Sequence, residues 1–353
     1  MKTKMLMLII IALNTCTQSQ GEVKPSFILR NDEATMPVVV RGNIASHTLV
    51  VFLHGGPGGT ALKKIGTRTF SKLEEYYGVV YWDQRGGDGA SGGTNKKWMN
   101  LNQYIEDLDL LVDQLTYRYS ASSIFLMGHC WGGGLGIAYL MNTQRQAKIA
   151  GWIDVAGAHN NPKGDSLSAE GVKKFAAKMI AGNKNACYWK RALLWYQCNP
   201  AFTSDQLMHY TYVRKSNGYQ LVEGDSLGLF PCYTKKDLLL HPVRYIRYYA
   251  NYYNTLTRFV ISGINLTSEM HRITLPALII WGEEDGLIPV AMAKEAYEVL
   301  GTNKEDKYLV TFENTAHTVY YEQPVKFVQS VKTFVDQYTR HSNESIARKT
   351  VSI

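Results

Sequence analysis

The sequence predicts an α/β fold, a mostly parallel sheet flanked by helices and interrupted by a mainly helical insertion. Three observations carry that expectation. Short, continuously apolar runs alternate with segments of helical periodicity, the rhythm of a sheet covered on both faces. The rhythm breaks after Gly157, and helical patches rich in Tyr and Trp follow up to residue 272. It resumes at Ala277 with another apolar run and another helix. Composition agrees: 353 residues, 45% hydrophobic and 19% charged, suit one large α/β body carrying an insertion, or two modest domains.

Residues 27–29 and 38–40 are short β-like runs. Residues 47–54 read as a buried parallel strand, because Leu49-Val50-Val51-Phe52-Leu53 is unbroken and closed by glycines. Residues 79–82 form the next strand. Over 101–117, Tyr104, Ile105, Leu108, Leu111, Val112 and Leu115 recur at helical spacing, leaving Glu106, Asp107, Asp109 and Asp113 for solvent. Strand 124–127, glycine-rich helix 131–141 and strand 149–155 follow. Beyond the insertion come strand 277–281, helix 289–300, strand 308–312 and helix 324–338. The expected partition is 21–158 and 273–339 for the body, 159–272 for the insertion and 340–353 for a frayed polar tail.

Residues 1–20 have a basic start (Lys2, Lys4), an apolar run from Met5 to Leu13 and a small polar stretch, the layout of a bacterial secretory signal. Two processing routes fit: a cut after Ser19, or a loose lipobox at Leu13-Asn14-Thr15-Cys16 that would make Cys16 a lipid anchor. The expectation is an exported bacterial protein, periplasmic or held at the outer membrane as a lipoprotein.

Several classes drop out. The five cysteines (Cys16, Cys130, Cys187, Cys198, Cys232) form no C-x-x-C, which argues against a zinc ribbon or a disulfide framework, and no metal site is expected. In an oxidising compartment two of the three insertion cysteines are candidates to pair, Cys187 and Cys198 being nearest in sequence. No apolar run reaches the roughly 18 residues of a membrane span. The net charge of +8 is dispersed, so no nucleic-acid partner is expected. A G-x-G-x-x-G match at Gly87, Gly89 and Gly92 opens no helix, and no dinucleotide or other cofactor is expected. Gly-Asp-Ser-Leu occurs at Gly164 and Gly224, following no strand either time. The expected partner is a small-molecule or short-peptide substrate.

The chemistry concentrates in three places. Strand 124–127 runs into Gly128-His129-Cys130-Trp131-Gly132-Gly133, which is G-x-S-x-G with Cys130 at its centre. Such a corner exposes its central side chain at a helix N-terminus, where the dipole favours a thiolate. A buried structural cysteine is the plain alternative. His54-Gly55-Gly56-Pro57-Gly58 closes an earlier strand, so the N–H groups of Gly55 or Gly56, with that of Trp131, are candidates to hold an oxyanion. Asp285 ends the acidic turn after strand 277–281, and His317 follows the last strand. The order Cys130, Asp285, His317, each past a strand's C-terminal end, is that of a nucleophile, acid and base. Glu283 and Glu284 are expected to face water, and His129 to point away from Cys130 and pack.

His54-Gly55-Gly56-Pro57-Gly58, Asp83-Gln84-Arg85-Gly86 and Gly128-His129-Cys130-Trp131-Gly132 together resemble the proline iminopeptidase branch of the α/β-hydrolase fold, over roughly residues 27–338. The resemblance implies that fold with a helical cap, and hydrolysis of N-terminal proline or a small residue through a covalent acyl-enzyme. Two departures stand out. The family nucleophile is Ser, here Cys130, although dienelactone hydrolases of the same fold use Cys. After D-Q-R-G, Gly89 and Ser91 fall one place late, implying an extra loop residue. The iminopeptidases bind the substrate's amino terminus with cap carboxylates, for which Glu170 and Glu223 are candidates here. Trp189 and Trp195 are candidates to shape an apolar pocket, with packing of the cap's own core the plainer role. The rival readings are a lactonase, thioesterase or carboxylesterase of the same fold, and a non-catalytic ligand-binding homologue. Epoxide hydrolases and dehalogenases require Asp where Cys130 stands.

Overall fold

The computed structural model describes residues 25–93, 95–119, 123–200, 206–219 and 263–350. The leader with Cys16, the insertion residues Asp205, Glu223 and Cys232, and the Tyr-rich run at 245–253 lie outside them. No helix among the described residues is long and apolar enough to cross a membrane.

Eight strands form one sheet: β1 (Phe27–Asn31), β2 (Ala34–Gly42), β3 (Thr48–Leu53), β4 (Gly78–Trp82), β5 (Ser123–His129), β6 (Gly151–Val155), β7 (Ala277–Gly282) and β8 (Lys307–Phe312). Their order is β1-β2-β4-β3-β5-β6-β7-β8. The first two strands pair antiparallel, and β2 pairs antiparallel with β4. From β4 to β8 every pairing is parallel. Helices cover both faces, so a central strand is buried on each side. In β3, Leu49, Val51 and Leu53 enter one core while Val50 and Phe52 enter the other. This two-residue alternation explains why the strand reads as an unbroken apolar run.

One face carries α2 (Leu101–Arg118), α3 (Trp131–Leu140) and α8 (Ala291–Val299); the other carries α1 (Arg68–Glu74), α9 (Val319–Glu322) and α10 (Pro324–Thr350). A short α4 (Thr143–Gln146) follows α3. α10 runs to Thr350, where a frayed tail is expected from residue 340. The sequence there holds neither Gly nor Pro to stop a helix.

The insertion is helical where described: α5 (Asn161–Ala181), α6 (Ala186–Cys198) and α7 (Gln206–Lys215). Asn160 caps α5 by accepting the Lys163 N–H at 3.2 Å, and Pro162 sits in the first turn. The chain leaves and re-enters the body through a paired neck, in which Asn161 donates to the Ile264 carbonyl and Leu266 to that of His159. Ala169, Val172, Trp189, Ala192, Tyr196, Tyr212 and Val213 are among the insertion residues that join the first core. Cys187 and Cys198 begin and end the single helix α6, both exposed and free. Along a helix they stand about 16 Å apart, so these two candidates do not pair with each other.

Candidate active site

The site lies outside the C-terminal ends of β5, β7 and β8, where a parallel sheet opens to ligands. Cys130 occupies the corner between β5 and α3 at φ 57°, ψ −119°, a conformation that L-residues rarely adopt. Its N–H donates to the Val155 carbonyl (3.1 Å), while its own carbonyl accepts from Gly133 and Ala158 (2.9 Å each). These bonds hold the strained backbone. Glycines make room for it: a β-carbon at Gly132 would collide with the Leu53 carbonyl, and one at Gly136 with the Trp152 ring. The side chain therefore stands at the N-terminus of a ten-residue helix.

Asp285 and His317 meet the same corner. Asp285 Oδ1 accepts the N–H groups of Leu287 and Ile288 (2.9 Å each), which fixes the carboxylate within its own loop. Its Oδ2 accepts from His317 Nδ1 at 2.8 Å, in a pair that is 1% and 0% exposed. The Cys130 side chain lies close enough to the imidazole to act on its charge. Burial alone would depress the His317 pKa. The Asp285 carboxylate and Cys130 outweigh burial and hold it up at about 10. Glu322 fastens the loop from below, accepting from the N–H groups of Ala316 (2.8 Å) and Thr318 (3.1 Å). Glu283 and Glu284 are exposed, as expected.

His129 packs, but against His317 rather than away from the site. The two rings are 4.7 Å apart, and His129 Nε2 donates to the His317 carbonyl at 3.1 Å. Burial, and then the charge on His317, hold the His129 pKa well below normal, so its Nδ1 is free to accept from Tyr320 Oη at 3.4 Å. The Lys64 ammonium stands over the Tyr320 ring (5.0 Å) and donates to Tyr321 Oη (2.7 Å).

The glycine loop after β3 forms the facing wall. A β-carbon at Gly55 would come within 3.2 Å of Cys130 Cβ, so loop and corner are in direct contact. Among the described residues the N–H groups of Gly55, Gly56 and Trp131 take no backbone partner. The Asp83-Gln84-Arg85 run explains how this wall is kept rigid. Gln84 joins its parts: its N–H donates to His54 Nε2 (3.1 Å), its amide to the His54 carbonyl (3.2 Å), and its Oε1 accepts from Trp131 Nε1 (2.9 Å). Asp83 gathers the N–H groups of Ala61, Leu62 and Gly89 with the Thr60 hydroxyl. Arg85 makes a bidentate pair with Asp107 (2.8 and 2.9 Å) and donates to the carbonyls of Asn31 and Asp32. Asp107 is thus fully buried, not solvent-facing as its helical position suggests. The helical period placed it near a face boundary, and Arg85 draws it inward. In the loop after Asp83-Gln84-Arg85-Gly86, Ser91 pairs with Thr35 on β2.

Across the site, the Tyr219 ring of the insertion lies on His317 at 5.1 Å and 35°. The expected substrate-binding residues are elsewhere. Glu170 faces solvent and pairs with Lys174 at 3.1 Å. Trp189 is 3% exposed between Phe175 and Tyr188, and Trp195 stacks on Tyr196 and Tyr212; both serve the insertion's own core. Glu223 lies outside the described residues. A different carboxylate emerges, Asp165, half-buried one turn before Ser168, with its pKa pushed up to about 6 by burial. The Gly-Asp-Ser-Leu match it belongs to lies within helix α5.

Comparison with known proteins agrees with this architecture. The chain is 25% identical over 324 residues to "Probable aminopeptidase YbaC" of Bacillus subtilis, covering 86% of this chain and 92% of the relative. It is 25% identical over 311 residues to a proline iminopeptidase of Saccharolobus solfataricus, covering 83% and 86%. The crystal structure of a proline iminopeptidase from Mycobacterium smegmatis superposes with TM-score 0.63 at 15% identity, covering 90% of this chain and 99% of that one, which is a likeness of fold. Residues 45–221 match the serine aminopeptidase family S33. The chain is an enzyme of the α/β-hydrolase fold and belongs to the serine aminopeptidase family S33.

Proposed function

We propose that this hydrolase cleaves amide or ester bonds through Cys130, with His317 as base and Asp285 as its orienter, releasing an N-terminal proline or small residue from short peptides. One observation carries the reading: Asp285 Oδ2 and His317 share a buried hydrogen bond beside Cys130, the strained corner residue. An imidazole held at about 10 carries its proton at neutral pH, which sets a positive charge beside Cys130.

The thiolate attacks the substrate carbonyl carbon, forming a C–S bond while the carbonyl electrons move to oxygen. The N–H groups of Gly56 and Trp131 hold that oxyanion, with Gly55 packed beside Cys130; one such donor contributes about 3 kcal/mol. Collapse expels the amine or alcohol, which takes the proton of His317. Water then gives a proton to His317 and attacks the thioester. The C–S bond breaks, the acid leaves, and the thiolate–imidazolium pair returns.

The insertion serves as the cap. Asp165 is the alternative to Glu170: a poorly solvated carboxylate three residues before Ser168 on α5, suited to a substrate ammonium group. A second reading, a lactonase, thioesterase or carboxylesterase, is favoured by Cys130 itself, since thiolates suit activated acyl groups. The basic and apolar pattern of residues 1–20 supports export of either activity, with Cys16 as lipid anchor if the lipobox is the route used.

The test is alkylation by iodoacetamide across pH, alongside assays of prolyl and alanyl p-nitroanilides, p-nitrophenyl acetate and simple lactones. Alkylation of Cys130 well below pH 8, with activity lost in step, is the expected result. Turnover that survives Cys130→Ala overturns the mechanism. Ester cleavage without anilide cleavage replaces the peptidase by the second reading, and absence of all turnover replaces both by a binding protein.

A further inference from the structure

We propose that His209, with Ser168 and Tyr196, is a positioning device through which the insertion sets the Asp285–His317 pair, so that seating the insertion and aligning the catalytic groups are one event. The proposal rests on the Cys130 mechanism above for its kinetic consequences, but its structural core stands apart from that reading.

The three residues come from three different helices, α5, α6 and α7, and converge in a region where each is at most 2% exposed. Tyr196 Oη meets His209 Nδ1 at 2.7 Å, and His209 Nε2 meets Ser168 Oγ at 3.0 Å. Ser168 Oγ in turn donates to the carbonyl of Gly286, the residue after Asp285. One set of proton positions satisfies these three bonds together. The phenol donates to Nδ1, the Nε2–H donates to the serine, and the serine hydroxyl donates to the carbonyl. That arrangement requires a neutral imidazole, and burial holds the His209 pKa down at about 4.

A chain of buried polar groups is costly to desolvate unless every member is paired, and it then defines one geometry. Here it ends on the loop of the catalytic acid rather than on the insertion's own backbone. The other polar group of Gly286 is used the same way: its N–H donates to the Gly218 carbonyl at 2.9 Å, just beyond α7. Gly218 and Gly286 meet face to face, and a β-carbon on either would press into the α-carbon of the other. The next residue, Tyr219, lays its ring on His317. The insertion therefore grips the acid's loop at both polar groups of one residue and braces the histidine with the adjoining one. Since Asp285 Oδ1 is tied to Leu287 and Ile288 of that loop, the direction of Oδ2 toward His317 follows the loop's position. A displacement of about 1 Å there is enough to cost catalysis about a hundredfold.

The experiment compares wild type with Ser168→Ala, Ser168→Thr, His209→Leu and His209→Gln in the full-length protein. Gln offers an amide N–H where Nε2–H stood, and Thr keeps the hydroxyl. Two readouts are taken: kcat and KM for p-nitrophenyl acetate, and amide hydrogen exchange of the peptide spanning 283–288. Ser168→Ala and His209→Leu are expected to lower kcat about ten- to a hundredfold at nearly constant KM, and to speed exchange around Gly286. His209→Gln and Ser168→Thr are expected to recover most of both. Wild-type exchange and kcat in Ser168→Ala overturns the proposal, as does His209→Gln behaving no better than His209→Leu, since packing alone would then explain the site. The exchange experiment repeated on Cys130→Ala separates the two readings. If Cys130→Ala retains turnover, the nucleophile is wrong while the exchange effect of Ser168→Ala still decides the device.

Discussion

On the body side of the site, Cys130, Gly55 and Trp131 are placed by main chain: a strained corner, a glycine loop in contact with it, and Gln84 bonding the parts together. On the insertion side, Tyr219 and the grip on Gly286 are placed by side chains from three helices that pack only in the folded state. The corner of the first wall is local, because strand, corner and helix are contiguous in sequence, and Gln84 ties the glycine loop to it from within the body. The second exists only once distant segments have met. Chemistry is thereby assigned to the rigid wall, and selection and alignment to the one that can be rebuilt with least damage to the fold.

The largest effect expected at the junction of the two walls follows from Asp285→Asn, which keeps the shape and removes the charge. It should lower kcat about 10³- to 10⁴-fold. The His317 ring should titrate near 10 in the wild type by NMR and fall toward its ordinary value in the variant. Because the folded-state pKa is raised, His317 contributes stability that is complete below about 6.5 and is lost as pH rises toward about 10. Denaturation midpoints measured across that window should decline in the wild type and flatten in Asp285→Asn. A wild-type imidazole titrating near 6.5 would remove the thiolate–imidazolium ground state from the mechanism.

The body wall itself is tested by Asp107→Asn. Arg85 and Asp107 are each wholly buried, so neutralising one leaves an unpaired guanidinium in the core. The expected cost is about 3–5 kcal/mol of unfolding free energy in urea. Replacing both by Met and Leu should cost much less, because the desolvation penalty goes with the charges. A small loss in the single variant would mean that water reaches the pair, and that this wall is softer than the comparison assumes.

How much of this was legible in the sequence divides along the same line. The strands of the body announce themselves because both of their faces are buried, as in β3. The corner at Cys130 is legible because only glycine tolerates the approach of α3 to β3 and β6, leaving a fixed spacing around it. Gln84 and Arg85 stood inside a recognisable run, but their roles required knowing what the fold brings beside them. Asp107 misled because a helical period sorts residues by angle and cannot register a buried cation on another element. The insertion offered less. Ser168, His209 and Tyr219 carry no local pattern, and their partners are 41 residues away or more for Ser168–His209 and Ser168–Gly286. Cys187 and Cys198 looked like neighbours in sequence, yet a continuous helix holds them apart. Aromatic rings such as Trp189 read equally as pocket or core, and burial decides for core.

The smallest effects sharpen the comparison most, since they ask whether the insertion wall reads the substrate at all. Asp165→Asn should raise KM for prolyl p-nitroanilide about tenfold, the value of one poorly solvated charge-assisted hydrogen bond, and leave p-nitrophenyl acetate unaffected. Glu170→Gln should change neither, because that carboxylate is spent on an exposed pair with Lys174. Burial pushes Asp165 up to about 6, so its charge is lost as pH falls through that value, and KM for the anilide alone should climb below it. A defect shared equally by anilide and ester would make Asp165 a structural residue. A defect in Glu170→Gln instead would mean that the face of α5 now turned to solvent is the one that meets substrate, and the two walls would have to be drawn again.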